Sequence, residues 1–403
     1  MFGQYDLAIL RTMHLATSLL AHRVTPDDCR IDDFVASIEQ TTDLADYPHA
    51  TSVARNVLVY DAAALRPLIA DPEARAAIGD ELADALLTGP GIVVFSGAFD
   101  ESNALAESTR IYGDIIAEQH AAGESFGDHF AAPGANDRIW NALQKLALRD
   151  PQVFVQYYRN DILALICEAW LGPMYQVTSA INVVNPGGAA QNPHRDYHLG
   201  FMSTGTAERF RAHIHRLSPA LTLQGAVAHV DMPLESGPTM YLPYSQRYEQ
   251  GYVAFGLPEF REYFTANHIQ LPLRAGDAVF FNPALFHAAG HNTTTDVRRM
   301  ANLLQVSSAF GRAMDAVDRS AMLRALYPSL LALAAQGEST AVANVIASAA
   351  EGYAFPSNLD LDQPLSGLAG ETQAEFVARA LDGRFTTAHF ERELTELDRR
   401  HTP

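Results

Sequence analysis

The 403-residue sequence predicts an α+β chain with a mainly β core and helical extensions at both ends. Three observations carry this. Between Asn182 and about Phe310, short apolar runs are separated by Pro- and Gly-containing turns, the spacing of an all-β sandwich or barrel. On either side of that stretch, apolar residues recur with the period of a helix. Hydrophobic residues make up 48% of the chain, enough for a sizeable core, yet no apolar run approaches the roughly 18 to 20 residues of a membrane-crossing helix.

Taken in order, Ile9, Met13, Ala16 and Leu20 recur at helical spacing around Asp6 and Arg11, which reads as an amphipathic helix and not as a secretory signal. The helical pattern runs to about Ala85, with a cap at Thr25-Pro26-Asp27-Asp28 and a break at Tyr47-Pro48-His49. Thr88-Gly89-Pro90-Gly91 then turns the chain into Ile92-Val93-Val94-Phe95, a β-branched and aromatic run that reads as a strand, followed by a helix from about Glu101 to Gln119. The core strands are expected around 221–230, 239–242, 278–281 and 300–306. After Gly311 the chain is Ala- and Leu-rich with helical periodicity, broken by a Pro- and Gly-containing link around 355–370. The expected organisation is therefore a helical extension over 1–84, a β domain over 85–310 and a second helical extension over 311–403. The last would pack on the barrel or offer a surface for a homo-oligomer.

Charge narrows the function classes. Of 28 basic residues only Lys145 is a lysine, and it falls in a helical stretch; the formal net charge is −19. A phosphate-binding loop of the Walker type and a Schiff-base enzyme both need a lysine, and nucleic-acid binders carry a basic surplus. These classes are excluded, as is a disulfide framework, since Cys29 and Cys167 are the only thiols. A small-molecule partner, no nucleic acid, no membrane and a cytoplasmic location are expected.

Two segments carry chemistry. In Asn192-Pro193-His194-Arg195-Asp196-Tyr197-His198, His194 and Asp196 stand two apart, so on an extended chain they project to one face and can grip one metal ion. Ninety-one residues beyond Asp196, the run Gly276-Asp277-Ala278-Val279-Phe280-Phe281 leads to His287. Two histidines and one carboxylate, with three coordination positions left open, form the facial arrangement of non-haem Fe(II) oxygenases. Arg298 and Arg299 follow roughly one strand later, and a guanidinium binds a carboxylate bidentately while keeping its charge when buried. Alternation along a strand lets only one of the two face inward.

Together with the Gly91–Phe95 opening strand, Asp231-Met232-Pro233-Leu234-Glu235-Ser236-Gly237-Pro238-Thr239 and Pro243-Tyr244-Ser245-Gln246-Arg247, these motifs resemble the phytanoyl-CoA dioxygenase family of Fe(II)/2-oxoglutarate-dependent oxygenases over roughly residues 85–310. The resemblance implies a double-stranded β-helix, or jelly roll, whose mouth holds the iron. It implies His194, Asp196 and His287 as ligands of Fe(II), Arg299 or Arg298 on the far carboxylate of 2-oxoglutarate, and O₂ as the other cosubstrate. The products would be succinate, CO₂ and an oxidised small molecule. Because Asp196 is present where related halogenases have a small residue, hydroxylation or another hydrogen-abstracting oxidation is implied over halogenation. The sequence departs from some relatives in having Ala289 two positions after the distal histidine and no lysine on the entry strand; Asn182 and Thr178 are the substitutes expected to touch the cosubstrate.

Residues 126–141 are dense in polar and aromatic side chains, and Asp128, His129, Arg138 and Trp140 are candidates for the substrate pocket, against the alternative of a helix cap at Asn136 or Asp137. His229 is a further pocket candidate, or a core histidine. His291 competes with His287 as distal ligand, while His198, His213 and His215 read as solvated loop positions. The alternative function is a metal-binding cupin-like protein, an isomerase, a hydrolase or a degenerate binding protein, without oxygenase activity. An inward arginine beyond His287 separates the two, because only a dicarboxylate cosubstrate requires it.

Overall fold

Strand alternation divides the side chains of one large sheet between a helix-covered face and a cavity. The computed structural model describes residues 22–99, 103–123, 134–365 and 367–402. The expected amphipathic helix around Ile9–Leu20 lies outside them. The strands are β1 (Ser52–Ala54), β2 (Val57–Asp61), β3 (Ile92–Ser96), β4 (Asn136–Ile139), β5 (Gln176–Val184), β6 (Thr222–Ala228), β7 (Met240–Leu242), β8 (Ala278–Phe281), β9 (Phe286–Ala288) and β10 (Arg299–Ser307).

Eight of them form the major sheet in the order β1-β2-β3-β8-β6-β10-β5-β4, antiparallel except for the β2–β3 pair. Opposite it lies a minor layer built on the β7–β9 pair, extended by single bridges from His287 to His194 and from Tyr241 to Ile269. A large sheet faced by a smaller layer, with the chain crossing between the two, is a jelly roll. The β core flanked by helices is the architecture expected from sequence.

The face of each major-sheet strand follows from its register. Val177, Ile181, Leu223, Val227, Phe280, Leu304 and Val306 all point to one side, where they join Phe154, Tyr158, Leu323 and Leu326 of the helices in one continuous core. The helices Arg319–Ala335, Ser339–Ala349, Gln373–Asp382 and Thr387–His401 contribute to that core through residues such as Val345, Phe376 and Phe390. The other side holds Ile92, Val94, Val279 and Phe281, which close with Tyr241, Leu271 and Leu285 of the minor layer. Gly225 is required where it stands: opposite Phe280 in the register, an added Cβ would lie 2.5 Å from the Phe280 ring.

Two segments depart from the expected pattern. Residues 52–61, assigned to the helical extension, supply β1 and β2 at the edge of the major sheet, where β2 pairs in parallel with β3. Residues 136–139, read as a loop or a helix cap, form β4 on the opposite edge. The β1–β2 hairpin joins the sheet through β3 and β4 joins it through β5, partners distant in the chain, so local periodicity does not reveal them. Among the described residues, no helix is long and apolar enough to cross a membrane.

Candidate active site

The minor layer brings His194 and His287 face to face. Each donates its backbone N–H to the other's carbonyl, at 3.0 and 3.2 Å, so the two side chains emerge as a directly opposed pair with ring centroids 4.5 Å apart. Asp196, two residues after His194, is anchored by its N–H to the Pro283 carbonyl at 3.0 Å. One ligand atom from each of the three side chains lies within 4.8 Å of the others. His287 Nε2 is 3.3 Å from Asp196 Oδ2, and His194 Nε2 is 3.7 Å from Oδ1.

The protonation pattern suits a metal. His194 Nδ1 lies 2.9 Å from the Asn192 carbonyl and His287 Nδ1 lies 2.9 Å from the Leu285 carbonyl. A carbonyl only accepts, so in both rings Nδ1 carries a hydrogen and Nε2 is the nitrogen turned toward Asp196. Burial raises the pKa of the Asp196 carboxyl, but the His194 charge, the His287 hydrogen bond and a hydrogen bond donated by Gln224 Nε2 together hold it well below the usual carboxylate range. Asp196 is thus an anion, as a hard cation requires. Arg195, between the ligands, points away: its buried guanidinium donates to the carbonyls of Ser245 and Tyr248 at 2.6 and 2.8 Å and stacks against Tyr252 and Phe286.

The three side chains line a cavity of about 210 Å³ that runs along the inner face of the major sheet. Arg299 lies in its wall with Ala301, Leu303 and Gln305, alternate residues of β10. The residue is 6% exposed, and burial pulls the guanidinium pKa down to about 10. Among the described residues no carboxylate pairs with it; the phenol of Tyr241 is the polar group whose field it feels. Arg298 faces the other way, half exposed, donating to Asp137 Oδ2 at 2.9 Å and Asn185 Oδ1 at 3.1 Å. The structure therefore separates the two arginines as alternation demands.

Other candidates divide. Asn182, Arg138 and Trp140 line the cavity, with the Arg138 guanidinium 4.4 Å from the centre of the Trp140 ring. Thr178 does not: its hydroxyl donates to the Gln305 carbonyl at 2.9 Å, at the buried end of β5. Asp128 and His129 lie outside the described residues. His229 is also removed from the cavity. It follows β6 on the helix side, hydrogen-bonded to Thr109 at 2.8 Å and Tyr157 at 3.1 Å, and burial brings its pKa down to about 3, so it is a neutral core histidine. His291 Nδ1 bonds the Gly188 carbonyl, away from the cluster. His215, expected in a solvated loop, is 3% exposed on the helix Ala212–Ala220. Lys145 lies on the helix Ala142–Arg149 and does not line the cavity.

Sequence reasoning did not single out Gln224, Gln191, Tyr241, Phe201, Gln305 and Met314, which complete the lining. Their signal is in the register: Gln224 pairs with Gln305 and Tyr241 with His287, and both pairs share a face with the metal cluster.

Imidazoles and a carboxylate converging from β9 and the segment bridged to it place the chain among the jelly-roll proteins built to hold a single metal ion with open positions. Within that class its family is defined by the chain itself: residues 64–300, more than half of it, match the phytanoyl-CoA dioxygenase (PhyH) family, and the chain belongs to that family. It is similar to a dioxygenase of Aspergillus terreus (strain NIH 2624 / FGSC A1156), trt7, with 31% identity over 153 residues, covering 36% of this chain and 48% of the relative. The match thus spans about half of that protein's length. Among solved structures it is similar to the epimerase SnoN in complex with Fe3+, alpha ketoglutarate and nogalamycin RO, at 21% identity, covering 59% of this chain and 85% of the other, with a TM-score of 0.39. It is also similar to AviO1 from Streptomyces viridochromogenes Tue57, at 18% identity over 59% of this chain and 97% of the other, with a TM-score of 0.41.

Proposed function

We propose that the chain is an Fe(II)- and 2-oxoglutarate-dependent dioxygenase that oxidises a small-molecule metabolite by hydrogen abstraction, with succinate and CO₂ as the coproducts. His194, Asp196 and His287 would hold the iron: two imidazoles oriented through Nδ1 by backbone carbonyls and one carboxylate fit Fe(II) and leave half of an octahedron open. The iron, when bound, supplies the oxidising chemistry.

The protein's own part is positional and electrostatic. Arg299 is the observation that carries the reading, because a buried cation without an acidic partner in the wall of a metal cavity is a built anion site. It would take the distal carboxylate of 2-oxoglutarate and so aim the opposite end of that molecule at the metal cluster. A cupin-like metalloprotein using no dicarboxylate gives Arg299 no such use and leaves its desolvation cost unanswered. Phe281, Leu271, Leu273 and Met232 dry the same region and strengthen that ion pair. Arg138, Trp140, Asn182, Phe201 and Met314 would contact the substrate at the cavity rim. Asp196 fills the position a halide would need, which favours hydroxylation or a related oxidation.

The test is succinate release by the purified protein with Fe(II), 2-oxoglutarate and O₂ across a metabolite panel. Substrate-stimulated release that disappears in Asp196→Ala supports the reading; release unchanged by that substitution contradicts it.

A further inference from the structure

We propose that Tyr241, with Thr239 bonded to it, is a second anchor for the distal carboxylate of 2-oxoglutarate, and that these hydroxyls together with Arg299 make the site selective for a dicarboxylic 2-oxo acid. This deepens the oxygenase reading by assigning the donors that choose its cosubstrate, and it rests on that reading for the role of Arg299.

Tyr241 is held at the centre of the minor layer. On one side it pairs with His287; on the other its N–H donates to the Ile269 carbonyl at 2.9 Å and its carbonyl accepts from the Ile269 N–H at 2.8 Å. Its side chain lines the cavity, with the ring edge-on to Phe281 at 5.2 Å between centroids. The phenol and the Arg299 guanidinium, which come from opposite layers, lie close enough for each to feel the other's charge. Thr239, two residues back and so on the same face, also lines the cavity and is hydrogen-bonded to the phenol. These two carry the only hydroxyls among the described residues of the lining. Ala289, one position past the Met240–Ala288 pair, lines the same cavity and offers none.

A carboxylate has four lone pairs to satisfy, and a bidentate guanidinium takes one on each oxygen. The apolar walls around Arg299, built from Leu271, Leu273, Met232 and Pro238, supply no donor for the others, and a buried acceptor without a donor is costly. The hydroxyl pair answers that need. Two hydroxyls carry two hydrogens, and the bond between them uses one whichever way it runs, so one hydrogen is left for the anion. The same set rejects a 2-oxo acid that ends in a methyl group, because a buried cation and a hydroxyl hydrogen would then lack an acceptor. Selectivity for a dicarboxylate thus combines a charge from the major sheet with a hydrogen bond from the minor layer. Removing the phenol oxygen alone reduces it.

The experiment titrates 2-oxoglutarate and 2-oxopentanoate into the anaerobic Fe(II)-loaded protein in a calorimeter. The two acids share the chelating end and differ at the distal one, where 2-oxopentanoate carries a methyl group. Tyr241→Phe keeps the ring against Phe281 and removes only the hydroxyl. It should weaken 2-oxoglutarate about 10-fold or more, the worth of a hydrogen bond to a charged group, and leave 2-oxopentanoate within about 2-fold of the wild type. Thr239→Val leaves the phenol in place and should weaken 2-oxoglutarate in the same selective way by a smaller factor; it carries the test should Tyr241→Phe fail to fold. A wild-type preference for 2-oxoglutarate that survives both substitutions overturns the proposal alone. So does an equal loss for both acids, since Tyr241 would then serve the packing around His287 and not the distal carboxylate. Equal binding of the two acids by the wild type, including binding of neither, overturns the proposal together with the cosubstrate role of Arg299.

Discussion

Replacing Arg299 with methionine removes a charge and keeps most of the side-chain volume, and its outcome separates the oxygenase reading from its rival. The guanidinium is buried and unpaired by any carboxylate among the described residues, and burial lowers its pKa from the ordinary arginine range to about 10. That depression corresponds to a desolvation cost of about 3 kcal/mol, which a bound dicarboxylate would offset. Loss of a desolvated, bidentate charge pair costs a ligand about 3 to 4 kcal/mol, or roughly 150- to 1000-fold in Kd. The protein itself should not suffer, because an uncompensated buried cation is removed. The expected result is an Arg299→Met protein with unchanged or slightly raised Tm that binds 2-oxoglutarate at least about 100-fold more weakly. Anaerobic titration of 2-oxoglutarate into the Fe(II)-loaded protein, followed by visible absorption, measures this. Arg298→Met is the control: Arg298 is half exposed and engaged with Asp137, so its loss should change the affinity little. A strong effect at 298 with none at 299 would refute the reasoning.

Three further outcomes follow from the packing and the charges. Gly251→Ala would place a Cβ 1.9 Å from the Arg195 guanidinium carbon, and overpacking of this kind costs roughly 1–3 kcal/mol; urea denaturation should show a lowered midpoint with an unchanged slope, and an unshifted midpoint would mean that Arg195 is not the fixed post described here. Gly225→Ala should destabilise by a similar margin through the Phe280 ring, which the same measurement checks. His229 is neutral when buried, with its pKa brought down to about 3, whereas the unfolded chain titrates it near 6.5. Its contribution is therefore fully present above about pH 6.5 and is lost at about 1.4 kcal/mol per pH unit as the pH falls toward 3. Between pH 7 and 5 the wild type should lose about 2 kcal/mol more stability than His229→Gln; equal losses would show that His229 is not the group responsible.

The site was legible in the sequence where spacing carries geometry. His194 and Asp196 two apart, and His287 at the end of an apolar run, announce a shared face without any knowledge of the fold. The choice between Arg298 and Arg299 was also legible in principle, because alternation forbids both from facing inward. What stayed hidden depends on which strand lies beside which. Gln224 and Gln305 are 81 residues apart and become partners only through the β6–β10 register. The inward row Gln224, Ala226 and Ala228 places position 229 on the helix side, so His229 could not be assigned without that register. Val57–Asp61 reads as part of a helical region because Ala62-Ala63-Ala64 follows it directly, and its place in the sheet is set by pairing with both β1 and β3. Thr178 shares a strand with Asn182 but sits at its buried end, a distance along the barrel that sequence spacing does not translate into function.

The central claim, that one cluster holds Fe(II) and Arg299 holds 2-oxoglutarate beside it, is tested most directly by adding Fe(II) and then 2-oxoglutarate to the purified protein without oxygen. The wild type should develop a weak visible metal-to-ligand absorption band, and His194→Ala should not. No band in the wild type, or an undiminished band in His194→Ala, would contradict the account.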